Sequence, residues 1–305
     1  MIDFFNIPNT PENYQVFYTK GSTDWQVWKK PANCKMVMIF CMGSGGGGGG
    51  GQAGTASTTR RGGGGGGSAG LSIGFFSATQ IPDTLFLQVA PGGSSGIGGT
   101  GGTGGTSTVS IVPDNQTGIN ILMQSSEAGF PAGGGGQGSV AGAGGSAARV
   151  WRGSILSDLG LFSAYAGQTG GTGQTNATPT AITQDGLTSS GPGGAGTNLS
   201  VVFDGGDITG SGFLPTIEGG TSSSSNPAGD GSGGFSSLQT TTGSSVRIPL
   251  IFTGGSSGGS SNSSSGGNGG NGAFGSGGGG GGVGVTSSAG NGGEGGGGLI
   301  IITCY

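Results

Sequence analysis

Histidine is missing altogether from this chain, and charged side chains make up only 7 % of it. Without histidine no side chain has an unperturbed pKa near neutrality, so a histidine general base or a serine–histidine nucleophile is excluded. An ordinary soluble domain carries roughly 25 % charged residues. Nine basic against thirteen acidic residues, with a pI near 4.6, leave no electrostatic footprint for nucleic acid. The densest basic points, Lys29-Lys30 and Arg60-Arg61, read as isolated solvated charges. A mean hydropathy of −0.02 and a net charge of −4 also exclude the highly charged, low-hydropathy type of disordered tail.

Cysteine is scarce as well. Cys34, Cys41 and Cys304 are odd in number and share no repeated spacing, so they are not a disulfide framework. Cys34 and Cys41 read as two positions seven apart on one strand, facing opposite sides. A zinc site has too few ligands available in a chain without histidine, and no metal is expected. The three thiols read as small buried groups formed in a reducing compartment.

Long apolar runs are absent too. The longest, Met36–Met42, is far short of the ~20 residues that span a bilayer, so no membrane insertion is expected. Met1-Ile2-Asp3-Phe4-Phe5 has neither a basic n-region nor an apolar h-region, which points to maturation in the cytoplasm unless a dedicated machine exports the protein. Gly-Lys-Ser/Thr does not occur, and the many G-x-G-x-x-G windows carry almost no information at this glycine content, so no cofactor is expected. Asp204 and Asp207 are the only close acid pair near glycines, a thin basis for glycoside hydrolysis. No catalytic residue is assigned, and an enzyme is not expected.

What is present is glycine: 83 of 305 residues, about 27 %, against an average of roughly 7 %. Glycine tracts alternate with short strand-like runs. Tyr14–Tyr18 and Trp25–Trp28 read as strands, and Met36–Met42 as a strand buried on both faces that enters the seven glycines Gly45–Gly51. Further runs are Leu71–Phe76, Leu85–Val89, Val109–Val112, Ile119–Met123, Leu199–Phe203 and Val246–Phe252. Ser154–Tyr165 alone offers a partial helical period, with Ser154 as its N-cap. Gly295–Gly298 leads into Leu299–Tyr305, a strand too apolar to stand at an open edge. The 36–42 and 299–305 strands are therefore expected in one sheet, closing a domain over 14–305 behind an N-terminal arm, 1–13.

The tracts have a period of three. Gly93, Gly96, Gly99, Gly102 and Gly105 keep it, and from Gly266 to Gly296 ten of eleven positions in one register are glycine, Ser287 being the exception. Three residues per turn is the polyproline II helix. Collagen is excluded by the lack of proline, and calcium-binding glycine repeats by the lack of an aspartate in each unit. Polyglycine helices packed side by side remain, with Thr100, Thr103, Asn268 and Asn271 pointing outward. The expected fold is mainly β: a short-stranded β sandwich or barrel-like core with packed polyglycine-II-like segments and at most one short helix.

Three stretches carry a resemblance. Trp25-x-x-Trp28-x-x-Pro31 leads to Met36–Met42 and Gly45–Gly51; Leu87-Gln88-Val89-Ala90-Pro91-Gly92-Gly93 precedes Gly-Gly-Thr repeats; and Gly290–Gly298 enters Leu299–Thr303. Together, over about 14–305, they resemble the glycine-rich domain of tail fibre and other virion proteins of tailed bacteriophages. That resemblance implies a virion structural protein, often at a fibre end, in which a polyglycine scaffold presents loops to host glycan or an outer-membrane protein. Other virion proteins would be its partners and a homo-oligomer, with a trimer as one form, its assembly. Phe4, Phe5 and Ile7 are candidates for docking on the virion. Phe75, Phe76, Trp151, Arg152, Phe162, Tyr165 and Phe274 are candidates for surface contact, each weighed against simple core packing. A capsid decoration or minor capsid protein is the alternative, and an ice-binding polyglycine protein, suggested by Thr100, Thr103 and Thr106, a remote one.

Overall fold

The computed structural model describes residues 13–19, 24–56, 58–114, 118–127, 132–136, 160–184, 186–210, 216–237, 250–285 and 288–305. It is almost entirely β, with one 3-10 turn at Gly118–Asn120 as its only helical element among the described residues. Nine strands form two antiparallel sheets. They are β1 (Tyr14–Tyr18), β2 (Trp25–Lys29), β3 (Met36–Met42), β4 (Leu71–Ser77), β5 (Thr84–Gln88), β6 (Thr108–Ser110), β7 (Ile121–Gln124), β8 (Gly160–Tyr165) and β9 (Leu299–Cys304). The larger sheet has the order β1-β9-β3-β4-β8 and the smaller one β2-β5-β6-β7.

Alternation along the central strands explains the layering. One face of the larger sheet (Val37, Ile39, Cys41, Phe76, Ile300, Ile302) meets Trp28, Leu85, Leu87, Val109 and Met123 of the smaller. The opposite face (Met38, Phe40, Met42, Leu71, Ile73, Leu299, Ile301) packs against Phe252. Strands covered on both sides are apolar almost throughout, the pattern Met36–Met42 and Leu299–Cys304 show, with Thr303 the one polar residue among them. These two strands lie side by side, Leu299 opposite Met42 and Cys304 opposite Val37.

Residues 160–165, read from sequence as the end of a helix, are instead the edge strand β8, paired with β4 from Phe76–Gly160 to Leu71–Tyr165. The edge of β4 offers unpaired backbone groups, and tertiary pairing outweighs a weak local helical period. Residues 154–159 lie outside the described set. Of the last two runs, the described residues that form strand are Val201–Val202 and Ile251–Phe252.

The glycine tracts form a lattice. In the 43–52 tract each N–H points in turn to one of three neighbours, as three residues per turn require. Gly45, Gly48 and Gly51 donate to Gly296, Gly293 and Gly290; Gly46 and Gly49 to Gly67 and Gly64; Gly47 and Gly50 to Gly102 and Gly99, all at 2.8–3.0 Å. Its carbonyls accept from three more tracts: Gly45 and Gly48 from Gly93 and Gly96, Gly46 and Gly49 from Gly278 and Gly281, and Gly47 from Gly135. The six neighbours also bond to one another in a closed ring, through pairs such as Gly66–Gly278, Gly64–Gly136, Gly101–Gly135, Gly102–Ser94, Gly295–Gly93 and Gly290–Gly282. The 276–285 and 253–262 tracts are surrounded in the same way. Buried backbone groups are thus paired sideways, which a lone polyproline II helix cannot do. Thr100, Thr103, Asn268 and Asn271 are exposed on its outside.

Candidate functional site

Chain direction gives the lattice two unlike ends. The tracts 43–52, 62–70, 166–174 and 288–298 each join a strand of the larger sheet at one end. Their far ends, with those of the tracts hydrogen-bonded beside them, are connected by turns. The described turns there include 55–56 and 58–59, 97–99, 175–177, 199–200, 224–226 and 262–264. All are short, made mainly of Thr, Ser, Asn, Gly and Ala. Three aliphatic side chains interrupt this polar surface: Ile97 is 78 % exposed, Leu199 58 % and Val201 52 %. Leu199 is also held at φ 53°, a left-handed geometry uncommon for a leucine, while Gly98 beside Ile97 takes φ 58° without a Cβ to hinder it.

Beneath these turns lies a buried arginine. Arg60, expected to be a solvated charge, is 1 % exposed. Its backbone pairs with Thr197 in both directions at 3.0 and 3.1 Å. Its guanidinium donates from Nη1 to the Gly284 carbonyl and from Nη2 to Asn262 Oδ1 at 2.9 Å. Burial lowers its pKa. Its burial has a geometric cause: a Cβ at Gly54 would lie 3.1 Å from Arg60 Cδ, so the side chain missing there leaves room for the arginine stem. One residue thus ties three tract ends together. Lys30, the other basic point, is likewise engaged, its ammonium donating to the Ala78 and Ile81 carbonyls and to Asp83 at 2.6, 3.0 and 2.8 Å.

The described aromatic candidates for surface contact lie at the opposite, β-sheet end. Phe76 is 1 % exposed in the core between the sheets, so it is not a surface residue. Phe162 is half-buried against that core, and Phe75 and Phe274 against the second cluster. Phe274 packs edge-on against Phe252, ring centres 5.8 Å apart. Tyr165 is 56 % exposed, beside a groove of about 750 Å³ lined by Leu71, Ile73, Ala164 and Leu187. Trp151, Arg152, Phe4, Phe5 and Ile7 lie outside the described residues. Asp204 and Asp207 accept backbone hydrogen bonds from Ser222 and Gly219, at 2.6 and 2.7 Å. They complete the lattice at its boundary, which the spacing of two acids in a sequence does not reveal.

Among the described residues no group of three histidine, cysteine or acidic side chains could hold a metal, and no helix is long and apolar enough to cross a membrane. Set against known proteins, the chain matches no family model, and no curated protein is significantly similar to it.

Proposed function

We propose that this is a structural protein of a tailed-bacteriophage virion, a tail fibre or tail tip component that takes part in recognising the host surface. The observation that carries the reading is the two-ended lattice. Hydrogen-bonded glycine helices form a stiff support, and the turns at one end, anchored from beneath by Arg60, present exposed side chains to solvent. A rigid scaffold with exposed turns loses little conformational entropy when those turns bind. Small polar side chains with isolated aliphatics (Ile97, Leu199, Val201) suit a glycan or the loops of an outer-membrane protein. The β-sheet end is left to face other virion proteins.

The test is adsorption. Virions carrying Ile97→Asp with Leu199→Asp are expected to incorporate the protein at normal copy number and to adsorb to host cells at least tenfold more slowly. Normal adsorption by virions lacking the chain would refute the proposal, and labelling that places it on the capsid would refute the tail assignment.

A further inference from the structure

One edge of the smaller sheet is open. β2 pairs on one side only, with β5, Trp25 opposite Gln88 and Lys29 opposite Thr84. Lys30, next in that register, donates its N–H to the Asp83 carbonyl at 2.8 Å. Backbone groups alternate in direction along a strand, so those of Gln26 and Trp28 also point to β5, while those of Trp25, Val27 and Lys29 point away from it. Among the described residues nothing bonds to these outward groups. Side chains alternate as well. Trp28 fills the core between the sheets, which puts Trp25, Val27 and Lys29 together on the outer face. Val27 is 50 % exposed there, and its cross-strand neighbour Phe86 is half-buried beside it.

We propose that β2 is a dimerisation edge, pairing antiparallel with β2 of a second copy of this chain about a two-fold axis at Val27. The strand Trp-Gln-Val-Trp-Lys is self-complementary in that register. The outward backbone groups of Trp25, Val27 and Lys29 exchange hydrogen bonds with those of Lys29, Val27 and Trp25 in the second copy. Directly opposite residues on one face have Cβ atoms ~4.5–5.5 Å apart. Each Trp25 ring therefore receives the Lys29 ammonium of the other copy, a cation–π pair made twice, while Val27 packs on Val27 at the axis. Slipping the strands towards Pro31 sets Trp25 against a residue with no N–H to give, and a further slip sets Lys29 against Lys29.

A lysine on an edge strand ordinarily discourages such pairing. In this register the two Lys29 side chains are four residues apart along the strands, ~14 Å, well beyond the screening length of about 8 Å at physiological salt. A two-fold contact closes at two copies, so the assembly is a dimer and not the trimer named with the resemblance above. Five residues a side fall short of the ~1,600 Å² of a standard interface, so the dissociation constant is on the order of 10–100 μM. The pairing is independent of what the turn end binds.

The experiment is sedimentation velocity of the full chain at concentrations from well below to well above that range. A mass rising from 28.8 kDa to twice that value is expected. Val27→Pro removes the donor at the two-fold axis and no bond to β5, a place where an edge strand accepts proline. It is expected to keep the circular dichroism of the parent and to stay monomeric throughout. Val27→Thr, still β-branched, dimerises within about threefold of the parent. Hydrogen exchange on the parent decides the same point without a variant: the Trp25, Val27 and Lys29 amides slow as concentration rises, while those of Gln26 and Trp28 do not change. A constant 28.8 kDa, a trimer, a dimer that survives Val27→Pro, or exchange at Val27 that is independent of concentration would each overturn the proposal.

Discussion

Gly48→Ala offers the sharpest test of the lattice. Gly48 lies in the 43–52 tract at the centre of a closed ring of neighbours, donating to Gly293 at 2.8 Å and accepting from Gly96 at 2.9 Å. A Cβ at this position would sit 2.0 Å from the Gly279 carbonyl oxygen and 2.6 Å from its carbon. Both obstacles are backbone, so no rotamer change relieves them. Restoring ordinary contact, 3.4 Å or more, means moving one helix away from the other. Gly279 is itself bonded to Gly270 and Gly293, at 2.9 and 2.8 Å. Losing two buried backbone bonds at roughly 1–3 kcal/mol each gives a cost of about 2–6 kcal/mol. That is a large part of the ~5–15 kcal/mol that holds a typical domain together. The control is Gly99→Ala, where the nearest atom to an added Cβ is 3.8 Å away. There the substitution is expected to be neutral or to stabilise by up to ~1 kcal/mol through the unfolded chain. Urea unfolding followed by circular dichroism compares the two. Equal midpoints for Gly48→Ala and Gly99→Ala would refute close-packed helices.

Other consequences can be checked on the same footing. Arg60→Ala leaves the Gly284 carbonyl and Asn262 without their donor, and is expected to cost ~2–4 kcal/mol. Hydrogen exchange in that variant should rise at the turn end while the β sheets stay protected; uniform loosening would refute the clasp. Asp207→Ala removes the acceptor of the Gly219 N–H and should cost ~1–2 kcal/mol, read from the shift in unfolding midpoint. An ordinary thiol titrates near 9.0 and Cys304 at about 12 in the folded chain. The unfolded state therefore loses its proton first, and the contribution of Cys304 is complete below pH 9 and lost as pH rises towards 12. Cys41 and Tyr14, raised by burial, act with the same sign. Thermal midpoints should fall between pH 9 and 11, less steeply in Cys304→Ala; a flat profile would contradict this.

Much of the fold was legible in the sequence because glycine periodicity and backbone bonding share one cause. Gly93 and Gly96 donate to the 43–52 tract, and Gly99, Gly102 and Gly105 accept from it, so the spacing of three marks the row that faces a neighbour. The apolar strands 36–42 and 299–304 were legible for a related reason, since burial on both faces removes alternation. The β8 strand was not, because its pairing is decided by the open edge of β4, far away in sequence. Site residues were harder. Aromatics were sought as contacts, yet Phe76 and Phe274 fill sheet faces, and the exposed turns carry residues that look like linker. Arg60 gave no local signal at all: its partners, Thr197, Asn262 and Gly284, lie more than a hundred residues away. Cys34 reads from sequence as part of β3, and the bend at Asn33, a single residue at φ 65°, takes it off that strand.

A hexagonal array of hydrogen-bonded backbones has no intrinsic last member; any outer helix still offers N–H and carbonyl groups to the next. The side chains on the rim decide where growth stops. Asp207 receives the N–H of Gly219, Asp230 that of Asn268, Asn268 that of Asn291, and Asn271 that of Glu294. Each oxygen occupies a donor that a helix from another molecule would otherwise satisfy, and its Cβ blocks the close approach such a helix needs. The few residues that are not glycine are thus what makes this lattice a molecule of finite size rather than the seed of a fibre.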